Sequence, residues 1–116
     1  MEYFQLLENL DFREGGEHAE ARAVYADDES RTLRFALIKG QKVKPHLAHS
    51  PVHVVVLKGE GVFTGRDGKE QSAGPNSMLI FGRGEEHSVR AVSDELVFVA
   101  VLHGAPGASH EPVGSG

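Results

Sequence analysis

Three histidines lie within eight residues of one another in the segment PHLAHSPVH, which directly precedes three valines and a leucine. They are His46, His49 and His53. Neutral imidazole is a common protein ligand for zinc, copper, iron and nickel, so this cluster predicts a metal site if the backbone turns the rings toward one point. Because the chain has no cysteine, histidine, carboxylate or water would have to complete such a site.

The spacing of these histidines leaves their convergence open. Side chains on a regular strand share a face only at even separations, so His49 and His53 would face one way and His46 the other. Pro51 makes a regular strand between them unfavourable, because proline has no N–H for the strand ladder. A loop or bulge at that point would re-aim either ring. The plainer alternative is that these are solvated or capping side chains near the end of a strand.

A fourth candidate, His87, opens a predicted strand in the segment FGRGEEHSVRA. Glu85 and Glu86 immediately precede it and are candidates for acid–base chemistry at a site, although two acidic residues on a turn are more often simply solvated. The remaining histidines stand at a strand end or in polar segments, and we assign them no role.

Composition excludes several classes of function. The 116 residues carry a formal net charge of −5 with scattered basic residues, which argues against a nucleic-acid partner. The apolar runs are too short to span a bilayer, so we expect no membrane partner. The chain opens without a signal-like apolar segment, and a cytoplasmic location is the expectation.

The organisation along the chain favours a single β domain. From Arg22 onward, apolar runs alternate with turns about every 8–12 residues, which is typical of an all-β sandwich or barrel. Asp67-Gly68 predicts a hairpin turn. We expect residues 1–21 to form an N-terminal arm, helical or extended, residues 22–103 to form the barrel, and residues 104–116 to be a disordered tail.

The order of these elements and their glycines resembles the cupin superfamily, and specifically its small single-domain prokaryotic members. Gly40, His46 and Gly59 stand in register with the first cupin motif, and Gly84 and His87 match an element of the second. The resemblance implies a double-stranded β-helix, or jelly-roll barrel. Such barrels are often dimeric and hold a metal or a small ligand inside.

Two ligand positions of the first motif are occupied by other residues. The second histidine slot falls on Ala48 and the glutamate slot on Val52, while His49 and His53 each lie one residue beyond a slot. A one-residue offset turns a side chain to the opposite face of a sheet. Taken literally, the motif puts Val52, Val54 and Val56 inside the barrel, with His53 and Val55 outside.

Three arrangements therefore remain open. In the first, a shifted loop brings His49, His53 or both inward to join His46 and His87 around a divalent transition metal, whether zinc, nickel, iron, manganese or copper. In the second, only His46 and His87 face inward, and the barrel holds a small-molecule ligand with weak metal binding or none. In the third, which is compatible with the second, His53 and Val55 face outward and help to form a homodimer.

The leading hypothesis is the metal-binding cupin, which would act on a small organic molecule if it is an enzyme. The alternative is a metal-free binding or sensory module. A structural role as a dimer is a third hypothesis. Whether the protein is an enzyme is left open.

Overall fold

The computed structural model describes residues 1–103 and 110–112, and strands account for most of its regular structure. A single turn of 3₁₀-helix spans Arg66–Gly68. The strands are β1 (Glu20–Ala26), β2 (Ser30–Ile38), β3 (Lys42–Ala48), β4 (Val52–Lys58), β5 (Gly61–Thr64), β6 (Glu70–Ala73), β7 (Met78–Phe81), β8 (His87–Ala91), β9 (Glu95–His103) and β10 (His110–Pro112).

The strands form two five-stranded sheets that pack face to face. The first sheet has the order β1-β2-β9-β4-β7 and the second the order β10-β3-β8-β5-β6. Most neighbours within a sheet are distant in sequence, and all the paired strands run antiparallel. This double-sheet arrangement with crossovers confirms the all-β jelly-roll prediction.

Aromatic side chains join the sheets through the middle of the barrel. Phe35 and Phe98 of the first sheet stack with ring centroids 4.8 Å apart, and Phe63 of the second sheet meets Phe98 edge-on at 5.4 Å. Leu37 and Leu96 are fully buried beside them. Burial of each such side chain contributes about 1.5–3 kcal/mol, so this cluster holds the two sheets together.

The β5–β6 hairpin turns where the sequence predicts it. Asp67 and Gly68 both adopt positive φ angles, of 66° and 72°. The turn is closed by the Gly65 N–H, which donates to the Lys69 carbonyl at 2.9 Å. The Asp-Gly pair suits this backbone because both residue types tolerate the left-handed region better than most.

The N-terminal segment is irregular rather than helical. Residues 1–19, all of which are described, contain turns and bends but no helix. The buried Arg34 guanidinium donates to the carbonyls of Leu6, Glu8 and Asn9 at 3.3, 3.0 and 3.2 Å. These carbonyls have no helical partners, and the arginine supplies the donors that hold the arm against the first sheet.

The C-terminal residues are only partly described. The tail expected to be disordered over residues 104–116 lies outside the described residues at 104–109 and 113–116. Residues 110–112 pair with β3 as strand β10. The addition satisfies backbone groups along the edge of β3.

Within residues 1–103 and 110–112, no helix is long and apolar enough to cross a membrane.

Candidate functional site

His87 is a buried imidazole at one end of the barrel. It is the first residue of β8 and is only 5% exposed. Its ring stacks on Phe81, the last residue of β7, with centroids 4.5 Å apart and ring planes 16° from parallel. Because β7 and β8 belong to opposite sheets, the imidazole packs across the interior and its orientation is fixed by an aromatic face.

A backbone carbonyl sets the tautomer of His87. The ring Nδ1 lies 3.0 Å from the Glu85 carbonyl oxygen. A carbonyl only accepts hydrogen bonds, so Nδ1 carries the proton and donates it. In the neutral ring the lone pair is then on Nε2. The hydrogen bond to the carbonyl thus makes Nε2 the basic nitrogen of the neutral ring.

His46 occupies the position directly opposite His87 in the register between β3 and β8. Directly opposed residues of an antiparallel pair lie on the same face of the sheet. The backbone register therefore places the two matched motif positions side by side across β3 and β8. An irregularity in β3 between Val43 and His46 adjusts this register, so the pairing depends on the local bulge.

The two unmatched ligand positions are occupied by buried apolar side chains. Ala48 and Val52 are each 2% exposed. Val52 pairs with Phe81 on one side and with Leu102 on the other, which places it on the inner wall at the His87 end. The burial along β4 confirms the arrangement that the motif predicts when no loop shift is assumed. Its buried residues are Val52, Val54 and Val56, whereas His53 and Val55 are half-buried on the outer face.

The packing of β4 holds His53 on that outer face. Turning it inward would require a one-residue register shift, which would carry the three buried valines to the outside. Each lost valine burial costs about 1.5–3 kcal/mol, so the observed register is strongly preferred. His53 instead contacts His103, with ring centroids 5.1 Å apart. His49 lies just beyond β3 and is exposed.

These positions decide how well the residues fit the metal site that the fold implies. Among the residues that the structure describes, no three histidine, cysteine or acidic side chains are grouped closely enough to hold a metal ion. Alanine and valine have no donor atoms to supply at the two unmatched positions. The residues therefore do not fit the four-ligand set of the family motif, and the matched positions that carry histidine are the register pair 46 and 87.

Glu85 braces the loop that carries His87. Its Oε1 accepts the Gly82 N–H at 2.9 Å, and its Oε2 accepts the Arg66 N–H at 3.1 Å. These two hydrogen bonds, the Gly82 one foremost, lower the pKa of the Glu85 carboxyl below its ordinary value. Glu85 is thus a structural anion that ties the loop before β8 to the β5–β6 hairpin. Glu86, the other predicted acid–base candidate, is exposed.

A cavity of about 500 Å³ adjoins this end of the barrel. Its lining combines β3, the β5–β6 hairpin and the start of β8, and includes Pro45, Thr64, Gly65, Arg66, Asp67, Gly68, Gly84, Glu86, His87 and Ser88. Three of the lining residues have charged side chains: Arg66, Asp67 and Glu86. The sequence predicts this hairpin as a turn but does not indicate that it belongs to the site. Its proximity to His87 follows from the pairing of β5 with β8, which local pattern does not reveal.

Comparison with known proteins agrees with this architecture. A double-stranded β-helix protein from Klebsiella pneumoniae, described as uncharacterized and conserved, superposes with a TM-score of 0.84 at 16% identity, covering 99% of each chain. An RmlC-like cupin protein from Desulfovibrio desulfuricans gives a TM-score of 0.73 at 27% identity, covering 88% of this chain and 96% of that one.

An enzyme is also among the similar structures. The DMSP lyase DddQ of Ruegeria pomeroyi gives a TM-score of 0.73 at 15% identity, over 84% of this chain and 54% of that one. This likeness concerns the fold alone. Comparison with curated protein sequences found no match.

The sequence model of the cupin domain family Cupin_2 matches residues 33–103, from within β2 to the end of β9. The matched segment is more than half of the chain and includes His46, His87 and the buried Ala48 and Val52. The chain therefore belongs to the Cupin_2 family and has the double-stranded β-helix fold of a cupin domain.

Proposed function

We propose that this cupin domain binds a small, partly apolar organic molecule at the His87 end of its barrel and needs no metal ion to do so. The observation that carries the proposal is the composition of the inner face. The opposed positions of His46 and His87 lie beside buried apolar residues at the two remaining motif positions, Ala48 and Val52.

The chemistry of the site suits a ligand with one polar end. The Nδ1–H of His87 donates a hydrogen bond to the Glu85 carbonyl. In this tautomer, Nε2 of the neutral ring would accept a hydrogen bond from a hydroxyl or a carboxylic acid. A protonated imidazole would instead pair with a carboxylate. Pro45 and Thr64 line the adjoining cavity beside His87 and would contact the rest of the molecule. Sites of this kind combine a mainly apolar wall with a few placed polar groups.

A divalent transition metal held by His46 and His87 is the second candidate. One observation favours it: a metal-bound histidine commonly donates its other ring N–H to a carbonyl or a carboxylate, as His87 does to Glu85. Two imidazoles would leave several coordination positions for water or for the bound molecule. Such a metal would polarise that molecule, but the chain supplies fewer donors than a closed or catalytic site ordinarily has.

A thermal-shift screen in the presence of EDTA tests the proposal. The panel consists of short-chain carboxylic and hydroxy acids, measured with the wild type, His87→Gln and His18→Gln. His18 is exposed outside the barrel site, so it is the matched control. We expect at least one acid to raise the melting temperature of the wild type and the control but not of His87→Gln.

Two outcomes would overturn the metal-free proposal. One is a melting temperature that no member of the panel raises in EDTA. The other is a response to the acids that requires added zinc or nickel and is lost in His87→Gln, which would establish the second candidate in its place. Urea unfolding of His87→Gln shows whether the variant is folded before either result is interpreted.

A further inference from the structure

We infer that His53 and His103 form a two-histidine site for a borderline divalent metal ion, such as Cu²⁺, Ni²⁺ or Zn²⁺, on the outer face of the first sheet. This site is separate from the barrel interior and does not rest on the proposed function. His53 lies on β4 and is half-buried, and His103 ends the neighbouring strand β9 and is exposed.

The pairing of β4 with β9 holds the two histidines on one face. His53 lies directly opposite Val101, so His103 is its diagonal neighbour two residues farther along β9. Diagonal neighbours on one face of a sheet are within reach of large side chains. The end of β9 is also tied down, because the Ser50 hydroxyl donates to the His103 carbonyl at 2.6 Å.

The separation of the rings matches shared coordination. The ring centroids are 5.1 Å apart. With a metal–nitrogen bond of about 2.0–2.1 Å, a metal ion lies about 3.2 Å from the centroid of an imidazole that ligates it. Two imidazoles on one ion at angles of about 90–110° then have centroids about 4.5–5.2 Å apart. The strands need not move, and the rings need only turn about their side-chain torsions.

The donor set selects the class of ion. Imidazole nitrogen suits Cu²⁺, Ni²⁺ and Zn²⁺, whereas Mg²⁺ and Ca²⁺ prefer oxygen ligands. The two histidines fill two positions, and water fills the others because His103 is exposed to solvent. Bound metal would link the ends of β4 and β9 and stabilise the folded chain in proportion to its concentration.

Calorimetric titration of the untagged full-length chain with NiCl₂ tests this site. The measurements compare the wild type with His53→Asn, His103→Asn and the control His18→Asn. A His46→Asn/His87→Asn variant separates any binding inside the barrel. We expect about tenfold weaker binding, or more, after loss of either His53 or His103, because each supplies half of the donor set. The control and the interior double variant should retain the outer-site affinity.

Nickel binding that is unchanged in His53→Asn or in His103→Asn would overturn the inference. Loss of all nickel binding in the interior double variant would do so as well, as would comparable binding of Mg²⁺. Circular dichroism of each variant shows that the barrel is intact, so that a loss of affinity reports on the donors.

Discussion

The rings of Phe81 and His87 stack at 4.5 Å with their planes 16° from parallel, although the two residues come from strands in opposite sheets. One face of the imidazole is therefore covered by a rigid aromatic surface, while its Nδ1 is bonded to the carbonyl of Glu85. These two contacts fix both the plane of the ring and its tautomer. A buried histidine held in this way is preorganised to meet a ligand with the same nitrogen each time.

Replacement of Phe81 tests the role of this stacking. We expect Phe81→Leu to lower the free energy of unfolding by about 1–2 kcal/mol, from lost volume and a lost aromatic pair. It should also shift the imidazole NMR signals of His87. The matched control is Phe35→Leu, which removes the stacking of Phe35 on Phe98 and should cost similar stability. Unchanged His87 signals in Phe81→Leu would contradict the positioning role.

Restoring the two missing donors should create a strong metal site. Ala48 and Val52 are buried on the inner face, so Ala48→His with Val52→Glu adds an imidazole and a carboxylate beside the positions of His46 and His87. We expect this variant to bind Zn²⁺ about 100-fold more tightly than the parent chain does. The variant is refolded in the presence of zinc, because an unpaired buried carboxylate is destabilising. Competition with a chromophoric chelator measures the affinity.

The control for this design places the carboxylate on the wrong face. Ala48→His with Val55→Glu has the same composition of new donors, but Val55 lies on the outer face of β4. Both variants are made in a His103→Asn background, which removes the outer pair. Equal zinc affinity in the two variants would show that the register of β4 does not control access to the site.

Glu85 should make stability depend on pH in the acidic range. Its pKa is lowered in the folded chain from an ordinary value of 4.5, so its stabilising effect is complete above that value and is lost as the pH falls through the lower folded value. We expect Glu85→Gln to reduce the free energy of unfolding by about 1–2 kcal/mol at pH 7, from two weakened hydrogen bonds. Urea unfolding should show this difference shrinking below pH 4.5.

Glu86→Gln is the matched control, because Glu86 is adjacent in sequence and exposed. We expect its stability to follow that of the wild type throughout the acidic range. A difference between Glu85→Gln and the wild type that stays constant from pH 7 to pH 3 would mean that the carboxylate form of Glu85 is not the brace.

Gly59 should be far less replaceable than Gly68. Both have positive φ angles, of 78° and 72°, but a Cβ added to Gly59 would lie 1.7 Å from the Glu95 carbonyl oxygen, whereas one at Gly68 would meet nothing within 4 Å. We expect Gly68→Ala to cost about 1 kcal/mol of backbone strain. Gly59→Ala adds a steric clash and should cost about 3 kcal/mol or more. Similar melting temperatures for the two variants would contradict this close approach.

Much of the architecture can be predicted from the sequence, because its signals are local. The alternation along β2 and β4 and the Asp-Gly turn each indicate a strand or hairpin without reference to the rest of the chain. Spacing alone could not show which way the cluster of histidines faces. That direction depends on Val52, Val54 and Val56, whose burial sets the register of β4 and leaves His53 on the outer face.

The relationships that define the site are long-range, which is why local patterns miss them. Phe81 meets His87 across two sheets, and the β5–β6 hairpin reaches the same end of the barrel through the pairing of Thr64 with Ser88. The N-terminal arm is a similar case. Its apolar spacing suits a helix, but the guanidinium of Arg34 binds its carbonyls in a non-helical form. The homodimer expected from the outward face remains a prediction.

Ala48 and Val52 leave the barrel interior without the full metal-ligand set of its family. The most direct measurement is the metal content of the untagged His53→Asn/His103→Asn variant, purified without immobilised metal and dialysed against zinc, nickel, iron, copper and manganese in turn, then against buffer. We expect a content near zero for every metal, since two imidazoles without further protein donors hold these ions only weakly. Retention of about one equivalent of any of them per chain would contradict it.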